Sequence, residues 1–188
     1  MSPFPAFLKL AGRRVLVVGG GRVAASKLAG LIESGARIAV VAPEIAGECQ
    51  LAGVELLRRP FQPQDLEGCW FAVAAATPEV NREVAAAAET RHLFVNAVDD
   101  AETASAWLGG VVRRGGVTIA ISTGGRAPAL AGLLREALEN LLPPELGEWM
   151  ATADRLRARW RSERLPMERR RPLLLQALDA LYEPRKVA

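Results

Sequence analysis

The sequence predicts an α/β protein whose first part is a parallel β-sheet with helices on both faces. Two observations predict it: short, almost continuous apolar segments recur along the first half of the chain, and helix-forming segments separate them. Apolar runs without strict alternation are typical of strands that are buried on both faces, as in parallel sheets. The chain has 188 residues, of which 50% are hydrophobic, so it can bury a substantial core.

A glycine-rich turn follows the first predicted strand, which begins at Val15, and precedes a helix predicted to run through Leu31. Its GxGxxA pattern consists of Gly19, Gly21 and Ala24. In such a motif the first glycine permits a tight turn, the second lets the backbone approach a pyrophosphate, and the small third residue allows close helix packing. Free N–H groups at the helix start can then hold phosphate charge. The turn therefore predicts a dinucleotide site. The alternative is a tight turn without a ligand, and a third consecutive glycine argues against it because each glycine costs conformational entropy.

Four further strands are predicted, and together with the first they define one edge where ligands can bind. The strands cover residues 37–42, 54–61, 70–76 and 93–98, and a helix covers residues 78–91. Thr77 is expected to cap this helix, because it precedes a proline at the first helical position. Ligands of parallel sheets bind beyond the carboxyl ends of the strands. The glycine turn, residues 75–77 and residues 96–100 are therefore expected to meet there.

The pattern changes after Asp100 and indicates a second module. Residues 104–112 and 117–122 are expected to form an antiparallel hairpin with a turn at 113–116, which a purely parallel domain does not need. A run of hydroxyl and glycine residues then precedes a helix expected over about 128–142. Such a run at a helix start can bind an anion or simply cap the helix, and the spacing fits both interpretations.

Positive charge is concentrated towards the carboxyl terminus. The net charge is +3, but residues 151–188 contain ten Lys or Arg against five Asp or Glu. The densest part contains Arg155, Arg157, Arg159, Arg161, Arg164, Arg169, Arg170 and Arg171. This density indicates an anionic partner, such as a polycarboxylate, or a solvated helical face. Nucleic acid is not expected as the partner, because no recognised binding motif accompanies the arginines and few aromatic residues lie among them.

Composition argues against several other classes of protein. Cys49 and Cys69 lie in unrelated segments and form no CxxC pair, so both are expected to be reduced and structural. With His92 as the single histidine, a zinc or transition-metal site of the usual kind is not expected. No apolar run is long enough for a membrane span and no leader sequence is recognisable, so a cytoplasmic protein that does not bind membranes is expected.

Five motifs, in their order along the chain, resemble those of precorrin-2 dehydrogenases, the dehydrogenase and ferrochelatase part of sirohaem synthases. They are GGGRVA at 19–24, VVAP at 40–43, AAAT at 74–77, FVNAVDD at 94–100 and ISTGGRAPALAGLLREALE at 121–139. The resemblance covers residues 4–171. It implies a Rossmann-type NAD-binding domain over residues 1–112, a small α+β dimerisation domain over 113–147 and a helical domain over 148–188, assembled as a homodimer.

The resemblance also implies a reaction, the NAD-dependent oxidation of precorrin-2 to sirohydrochlorin. NAD removes a hydride and a base accepts a proton. Asp99 occupies the position of the family's catalytic aspartate, and Asp100 is its rival. Some members of the family then insert ferrous iron into sirohydrochlorin with the help of the same aspartate. The sequence leaves this second step open, because the macrocycle rather than the protein would hold the iron.

By the same resemblance, residues around the motifs are assigned to the two ligands. NAD would contact Arg22, Val23, Pro43 and Glu44, with Thr77 nearby, in addition to Gly19, Gly21 and Ala24. The tetrapyrrole would contact Asn96, Ser122, Thr123, Gly124, Gly125 and Arg126. Thr123 stands where the fused bacterial enzymes have serine, which adds a methyl group to the expected substrate pocket.

The choice between NAD and NADP depends on the end of the second strand. An acidic residue at that position usually binds the ribose hydroxyls of NAD. Here the strand ends in Ala42 and Pro43, and Glu44 follows. Glu44 favours NAD, while Arg22 and Arg37 keep NADP open. A non-catalytic NAD-sensing module is the alternative function, but such modules typically carry the acidic residue at the strand end.

Overall fold

The structure is a computed structural model that describes residues 3–182, and its first part is a five-stranded parallel sheet. The elements of this part are β1 (Arg14–Val18), α1 (Arg22–Glu33), β2 (Arg37–Val41), β3 (Val54–Leu57), β4 (Cys69–Ala74), α2 (Pro78–Glu89) and β5 (Phe94–Ala97). The strand order is β3-β2-β1-β4-β5, and every neighbouring pair is parallel. The α/β, Rossmann-type class predicted from the sequence is therefore confirmed.

The strand order reverses direction between β1 and β4. From β1 the chain moves outwards to β2 and β3, and it then returns to the other side of β1 to form β4 and β5. Connections leave β1 and β4 in opposite directions at this point, which is where open α/β sheets bind ligands. The glycine turn after β1 lies at this edge.

The core lies on both faces of the sheet. Leu16 and Val18 of β1 point to one face, where Val84 of α2 packs against them. Val15 and Val17 point to the other face, where Leu28 of α1 covers them. All six side chains are at most 2% exposed. Full burial of such a side chain stabilises the fold by about 1.5–3 kcal/mol, so the two faces hold the strand ends in fixed positions.

The second part of the chain forms a separate compact unit. It contains a hairpin and three helices, namely β6 (Gly110–Arg114), β7 (Val117–Ile121), α3 (Pro128–Leu141), α4 (Leu146–Ser162) and α5 (Met167–Asp179). Among the described residues, the first unit comprises 3–108 together with 122–127, and the second comprises 109–121 and 128–182. The domain boundary expected between residues 112 and 113 thus falls inside β6. A further division of the second unit into dimerisation and helical domains stays a prediction.

Two predicted strands are much shorter than expected, whereas the other strand ends differ by one or two residues. β3 ends at Leu57 rather than at residue 61, because the Arg59 N–H turns back to the Leu57 carbonyl at 3.0 Å. β6 begins at Gly110 rather than at residue 104. The N–H groups of Ser105 and Ala106 both donate to the Val95 carbonyl at 3.0 Å, which holds this stretch against β5 instead of the hairpin.

Candidate active site

The glycine turn lies between the ends of β2 and β4 and contacts both. The Gly19 N–H donates to the Val41 carbonyl at 2.9 Å, and Gly19 has a φ of 117°. A Cβ on Gly19 would overlap the carbonyl oxygen of Ala75, and a Cβ on Gly20 would overlap that of Glu44. These two positions therefore admit no side chain, and the turn lies directly against the loops that follow both neighbouring strands.

Gly21, the third glycine of the turn, lies at the start of α1 and faces open space. It is the N-cap residue of α1, no side chain caps the helix, and the first turn contains no acidic residue. A Cβ on Gly21 would meet nothing within 4 Å. The N–H groups of the first turn therefore lack intrahelical acceptors, and two of them belong to the exposed residues Arg22 and Val23. These features fit a dinucleotide pyrophosphate.

The residues that follow Gly21 divide into exposed and buried positions. Arg22 and Val23 are exposed, whereas Ala24 is fully buried in the core cluster that contains Leu28. The small side chain of Ala24 thus allows α1 to pack closely on the sheet, as the motif predicts. Arg22 and Val23 are the two residues of this turn whose side chains can reach a ligand.

The loop after β2 lies beside the glycine turn. Pro43 and Glu44 are exposed, and the Ala46 N–H donates to the Gly20 carbonyl at 2.9 Å. Arg37 begins β2 and therefore lies at the opposite end of the strand from Glu44, so it does not reach a ligand at this edge. Arg58, which the sequence analysis did not select, donates to the Ile45 carbonyl at 3.5 Å. Because no motif surrounds Arg58, only the fold reveals a cation beside this loop.

Cys49 lies beneath the glycine turn. Its Sγ is 3.5 Å from the Gly20 carbonyl oxygen and 3.7 Å from that of Gly21. Burial, and secondarily the charge of Glu48, raise the pKa of the Cys49 thiol, so the thiol keeps its proton and donates it to these carbonyls. Both cysteines are free, and the predicted structural role of Cys49 agrees with its burial.

The loops after β4 and β5 are joined to each other. Thr77 is the N-cap of α2, as predicted, and its Oγ1 accepts a hydrogen bond from the Val80 N–H at 3.5 Å. The Val98 N–H donates to the Ala74 carbonyl at 2.9 Å. Asn81 of α2, which the sequence analysis missed, is buried between the two loops and contacts both. No local signal distinguishes Asn81 from a solvent-facing helical residue.

Asp99 and Asp100 occupy different environments although they are neighbours. Asp99 is exposed, has a φ of 60°, and makes no side-chain hydrogen bond or ion pair within residues 3–182. Asp100 instead accepts hydrogen bonds from the N–H groups of Glu102 at 3.2 Å and Thr103 at 3.1 Å. The pKa of Asp100 is lowered, first by the Thr103 side chain and then by these N–H groups. Of the two carboxylates, Asp99 is therefore the one without a hydrogen-bond partner among the described residues.

Asn96, which the motif assigned to the substrate, has its side-chain amide directed into the protein. It is 8% exposed, and its Nδ2 donates to the Ala106 carbonyl at 3.0 Å. This hydrogen bond holds residues 104–106 against β5. The structure thus places Asn96 as a support for the loop behind Asp99, and its amide nitrogen is already engaged.

The segment Ser122–Arg126 belongs to the first unit and lies close to the loop after Asp99. A Cβ on Gly125 would lie 2.9 Å from the Cβ of Ala101 and 3.4 Å from the Trp107 ring. Gly124 and Gly125 have φ values of 62° and 75°, and glycine adopts such values readily. The fold therefore brings this segment, separated from Asp99 by the hairpin, back to the same site.

Both hydroxyl groups of this segment accept local hydrogen bonds. The Ser122 Oγ accepts from the Gly124 N–H at 3.1 Å, and the Thr123 Oγ1 accepts from the Ala127 N–H at 3.2 Å. Both N–H groups precede α3, which begins at Pro128, so these are local turn interactions and the choice between an anion site and a helix cap stays open. Each hydroxyl retains its own hydrogen as a donor towards a ligand.

The arginines of α4 and α5 fall into two groups. Arg159 pairs with Glu163 at 2.7 Å, and Arg170 donates to the Leu165 carbonyl at 3.0 and 2.7 Å, which closes the turn between the two helices. Arg169 and Arg171 are exposed and have no partner within residues 3–182. These two are the cations of α5 that are free to meet an anion.

Residues 3–182 contain neither a cluster of metal-binding side chains nor a membrane-spanning helix. No group of three or more His, Cys, Asp or Glu side chains there could hold a metal ion. No helix in the same part of the chain is both long and apolar enough to cross a membrane.

Comparison with known proteins agrees with the site geometry. The family described as "Putative NAD(P)-binding" matches residues 6–110, and the family described as "Sirohaem biosynthesis protein central" matches residues 114–141. The solved structure named "SirC, precorrin-2 dehydrogenase" is 25% identical, with a TM-score of 0.71 over 95% of this chain and 91% of that one.

Two curated relatives are more similar in sequence. The siroheme synthase of Photorhabdus laumondii is 40% identical over 187 residues, and siroheme synthase 3 of Aeromonas hydrophila is 43% identical over 185 residues. These matches cover 97% and 96% of this chain but 40% of each relative, so the chain spans about two fifths of their length. The matches confirm the resemblance that the ordered motifs indicated. The family described as "Putative NAD(P)-binding" matches residues 6–110, which are more than half of the chain. The chain therefore belongs to this NAD(P)-binding family.

Proposed function

We propose that the chain oxidises precorrin-2 to sirohydrochlorin with NAD as the oxidant. The observation that carries this proposal is Asp99, an exposed and unpaired carboxylate at the carboxyl end of β5, in the same unit as the open glycine turn. The likeness to a precorrin-2 dehydrogenase over nearly the whole of both chains supports the proposal, as do the siroheme synthase relatives.

The glycine turn and the loop after β2 would hold NAD. The N–H groups of Arg22 and Val23, at the exposed start of α1, would donate to the pyrophosphate, and Gly21 leaves room for its approach. Glu44 accepts hydrogen bonds from ribose hydroxyls. When bound, NAD supplies the hydride acceptor. Thr77, at the start of α2, borders the same edge of the sheet.

Asp99 would act as the base. Oxidation of precorrin-2 removes one hydride and one proton, and the Asp99 carboxylate takes the proton. Its rival Asp100 is a weaker base, because the hydrogen bonds that it accepts lower its pKa. The free hydroxyl hydrogens and backbone N–H groups of residues 122–126 are suited to bind substrate carboxylates, with Arg126 as the adjacent cation.

The direct test is anaerobic incubation of the chain with precorrin-2 and NAD, followed by absorption spectroscopy. We expect conversion to the sirohydrochlorin spectrum, and NAD should support a higher kcat/KM than NADP because Glu44 repels a ribose phosphate. Equal or better turnover with NADP would refute the cofactor preference and direct attention to Arg58. NAD binding without any turnover would refute the dehydrogenase and favour a sensing module.

Ferrous iron is the substrate of a second step that can be tested in the same vessel. Adding ferrous iron after the oxidation is complete should give the sirohaem spectrum if the chain is also a ferrochelatase. The Asp99→Asn variant, supplied with sirohydrochlorin directly, serves as the control, because the same carboxylate would accept the pyrrole protons.

Arg169 and Arg171 are the cations that we propose for the carboxylates of the tetrapyrrole. Changing both to glutamine should raise the KM for precorrin-2 by about ten- to a hundredfold for each charge-assisted pair lost, since such a pair contributes about 1.5–3 kcal/mol. The KM should also become less sensitive to salt, because screening acts on the charges removed. Arg159→Gln is the matched control, since its partner is Glu163. An unchanged KM and salt response in the double variant would favour a solvated face.

We also propose that the chain is a homodimer. Four leucines of α3 are exposed, at 49, 64, 43 and 77%: Leu130, Leu133, Leu134 and Leu141. The first three recur at helical spacing and form an apolar stripe that a second copy would cover. A cytoplasmic location remains a prediction from the sequence.

A further inference from the structure

Asn81 is one of the few polar side chains that the first unit buries. It lies on α2 and is 4% exposed. Removing an amide from water is unfavourable unless its oxygen and nitrogen are hydrogen-bonded. Both are bonded here, and neither partner belongs to α2: the Oδ1 accepts from the Ala76 N–H at 2.9 Å, and the Nδ2 donates to the Val98 carbonyl at 3.5 Å.

The two partners of Asn81 lie in different loops of the site. Ala76 belongs to the loop after β4, and Val98 immediately precedes Asp99 in the loop after β5. The Val98 N–H donates to the Ala74 carbonyl at 2.9 Å, so both backbone polar groups of Val98 are held. The N–H is bonded to β4, and the carbonyl is bonded to Asn81.

Holding the Val98 carbonyl also fixes the peptide plane from which Asp99 projects. The carbonyl of Val98 and the N–H of Asp99 belong to one planar peptide unit. Asp99 leaves this plane with a φ of 60°, a value that few residues other than glycine adopt. Without the Asn81 hydrogen bond, the plane could rotate and relieve the positive φ, and the carboxylate would move with it.

We infer that Asn81 is a positioning residue that fixes the Val98–Asp99 peptide and thereby the direction of the Asp99 carboxylate. This inference rests on the proposed function, in which Asp99 accepts the proton. Asn81 does not touch the reacting atoms in this scheme. It acts by coupling the loop that follows β4 to the loop that carries the base.

The test compares Asn81→Leu, which keeps the side-chain size but removes both hydrogen bonds, with Val84→Ala. Val84 lies three residues further along α2 and is fully buried without a polar contact, so its truncation destabilises the same helix without touching the loops. We expect Asn81→Leu to lower kcat by about ten- to a hundredfold, the range that misplacement by about 1 Å can cost. The KM for NAD should stay near the wild-type value. Val84→Ala should lower Tm and leave kcat nearly unchanged.

A second readout does not depend on turnover. In ¹⁵N–¹H spectra the Asp99 amide resonance should shift in Asn81→Leu and stay in place in Val84→Ala. If Asn81→Leu does not fold, Asn81→Asp takes its place, because it keeps the acceptor for the Ala76 N–H and loses the amide donor to Val98.

The outcomes separate this inference from the proposed function. Equal kcat values in the Asn81 and Val84 variants, in an active enzyme, would overturn the positioning role while leaving the dehydrogenase intact. A wild-type chain that never oxidises precorrin-2 would refute the proposed function. In that case the Asp99 amide resonance alone tests whether Asn81 holds the Val98–Asp99 peptide. A resonance that stays in place in the Asn81 variant would overturn the positioning role.

Discussion

Replacing Asp99 with asparagine is expected to lower kcat for precorrin-2 oxidation by about two to four orders of magnitude, the usual contribution of a general base. Asparagine matches aspartate in shape and tolerates the positive φ of 60° at this position. The fold and NAD binding should therefore persist. Anaerobic turnover with NAD, the dissociation constant of NAD and Tm are the three measurements that separate the loss of a base from the loss of a site.

Asp100→Asn is the matched control for this substitution. The asparagine side chain keeps an oxygen that can accept the N–H groups of Glu102 and Thr103, so the turn after Asp99 should persist. Its kcat should remain close to the wild-type value. The opposite pattern, with normal turnover in Asp99→Asn and a large loss in Asp100→Asn, would move the role of base to Asp100.

The glycine turn is the part of the site that the sequence predicted best, because its chemistry is local. A turn between a strand and a helix that approaches another backbone requires glycine, and Gly19 and Gly20 meet this requirement at the carbonyls of Ala75 and Glu44. The parallel sheet could also be anticipated, since apolar runs separated by helices favour parallel sheets. The strand ends were less predictable because hydrogen bonds from distant residues determine them, as those from Ser105 and Ala106 to Val95 do.

The directions of the two buried asparagine side chains could not be predicted from the sequence. Asn96 was selected because it belongs to a motif, and Asn81 was passed over because it stands in an ordinary helix. In the structure both amides are buried and support the loops around Asp99. The direction of a polar side chain between two loops depends on contacts far apart in sequence, so local patterns do not reveal it.

The sequence pattern also does not distinguish Asp99 from Asp100, although the two residues are neighbours. Adjacent carboxylates are equivalent in the sequence, and the resemblance to a family was needed to prefer one of them. The structure separates them by hydrogen bonding, since Asp100 is engaged with two backbone N–H groups and Asp99 with none of the described residues. The return of residues 122–127 to the first unit was likewise not predicted, because the hairpin that precedes them belongs to the second unit.

Gly21→Ala is expected to weaken NAD binding by about ten- to a hundredfold while leaving the fold intact. Its φ of −91° suits alanine, and the added methyl group meets no protein atom within 4 Å. The same methyl group occupies the space through which a pyrophosphate reaches the N–H groups of α1. The loss of one hydrogen bond to a charged group, worth about 1.5–3 kcal/mol, corresponds to this change in affinity. Titration with NAD and thermal unfolding measure the two effects.

Gly19→Ala is the variant with which the Tm and NAD affinity of Gly21→Ala are compared. At a φ of 117° alanine is strained by about 1–3 kcal/mol, and its methyl group would also overlap the Ala75 carbonyl. This variant should therefore lower Tm as well as NAD affinity, whereas Gly21→Ala should lower affinity alone. Normal NAD binding by a stable Gly21→Ala variant would mean that the open side of the turn does not receive the pyrophosphate, and the glycines would then serve only to pack the turn between β2 and β4.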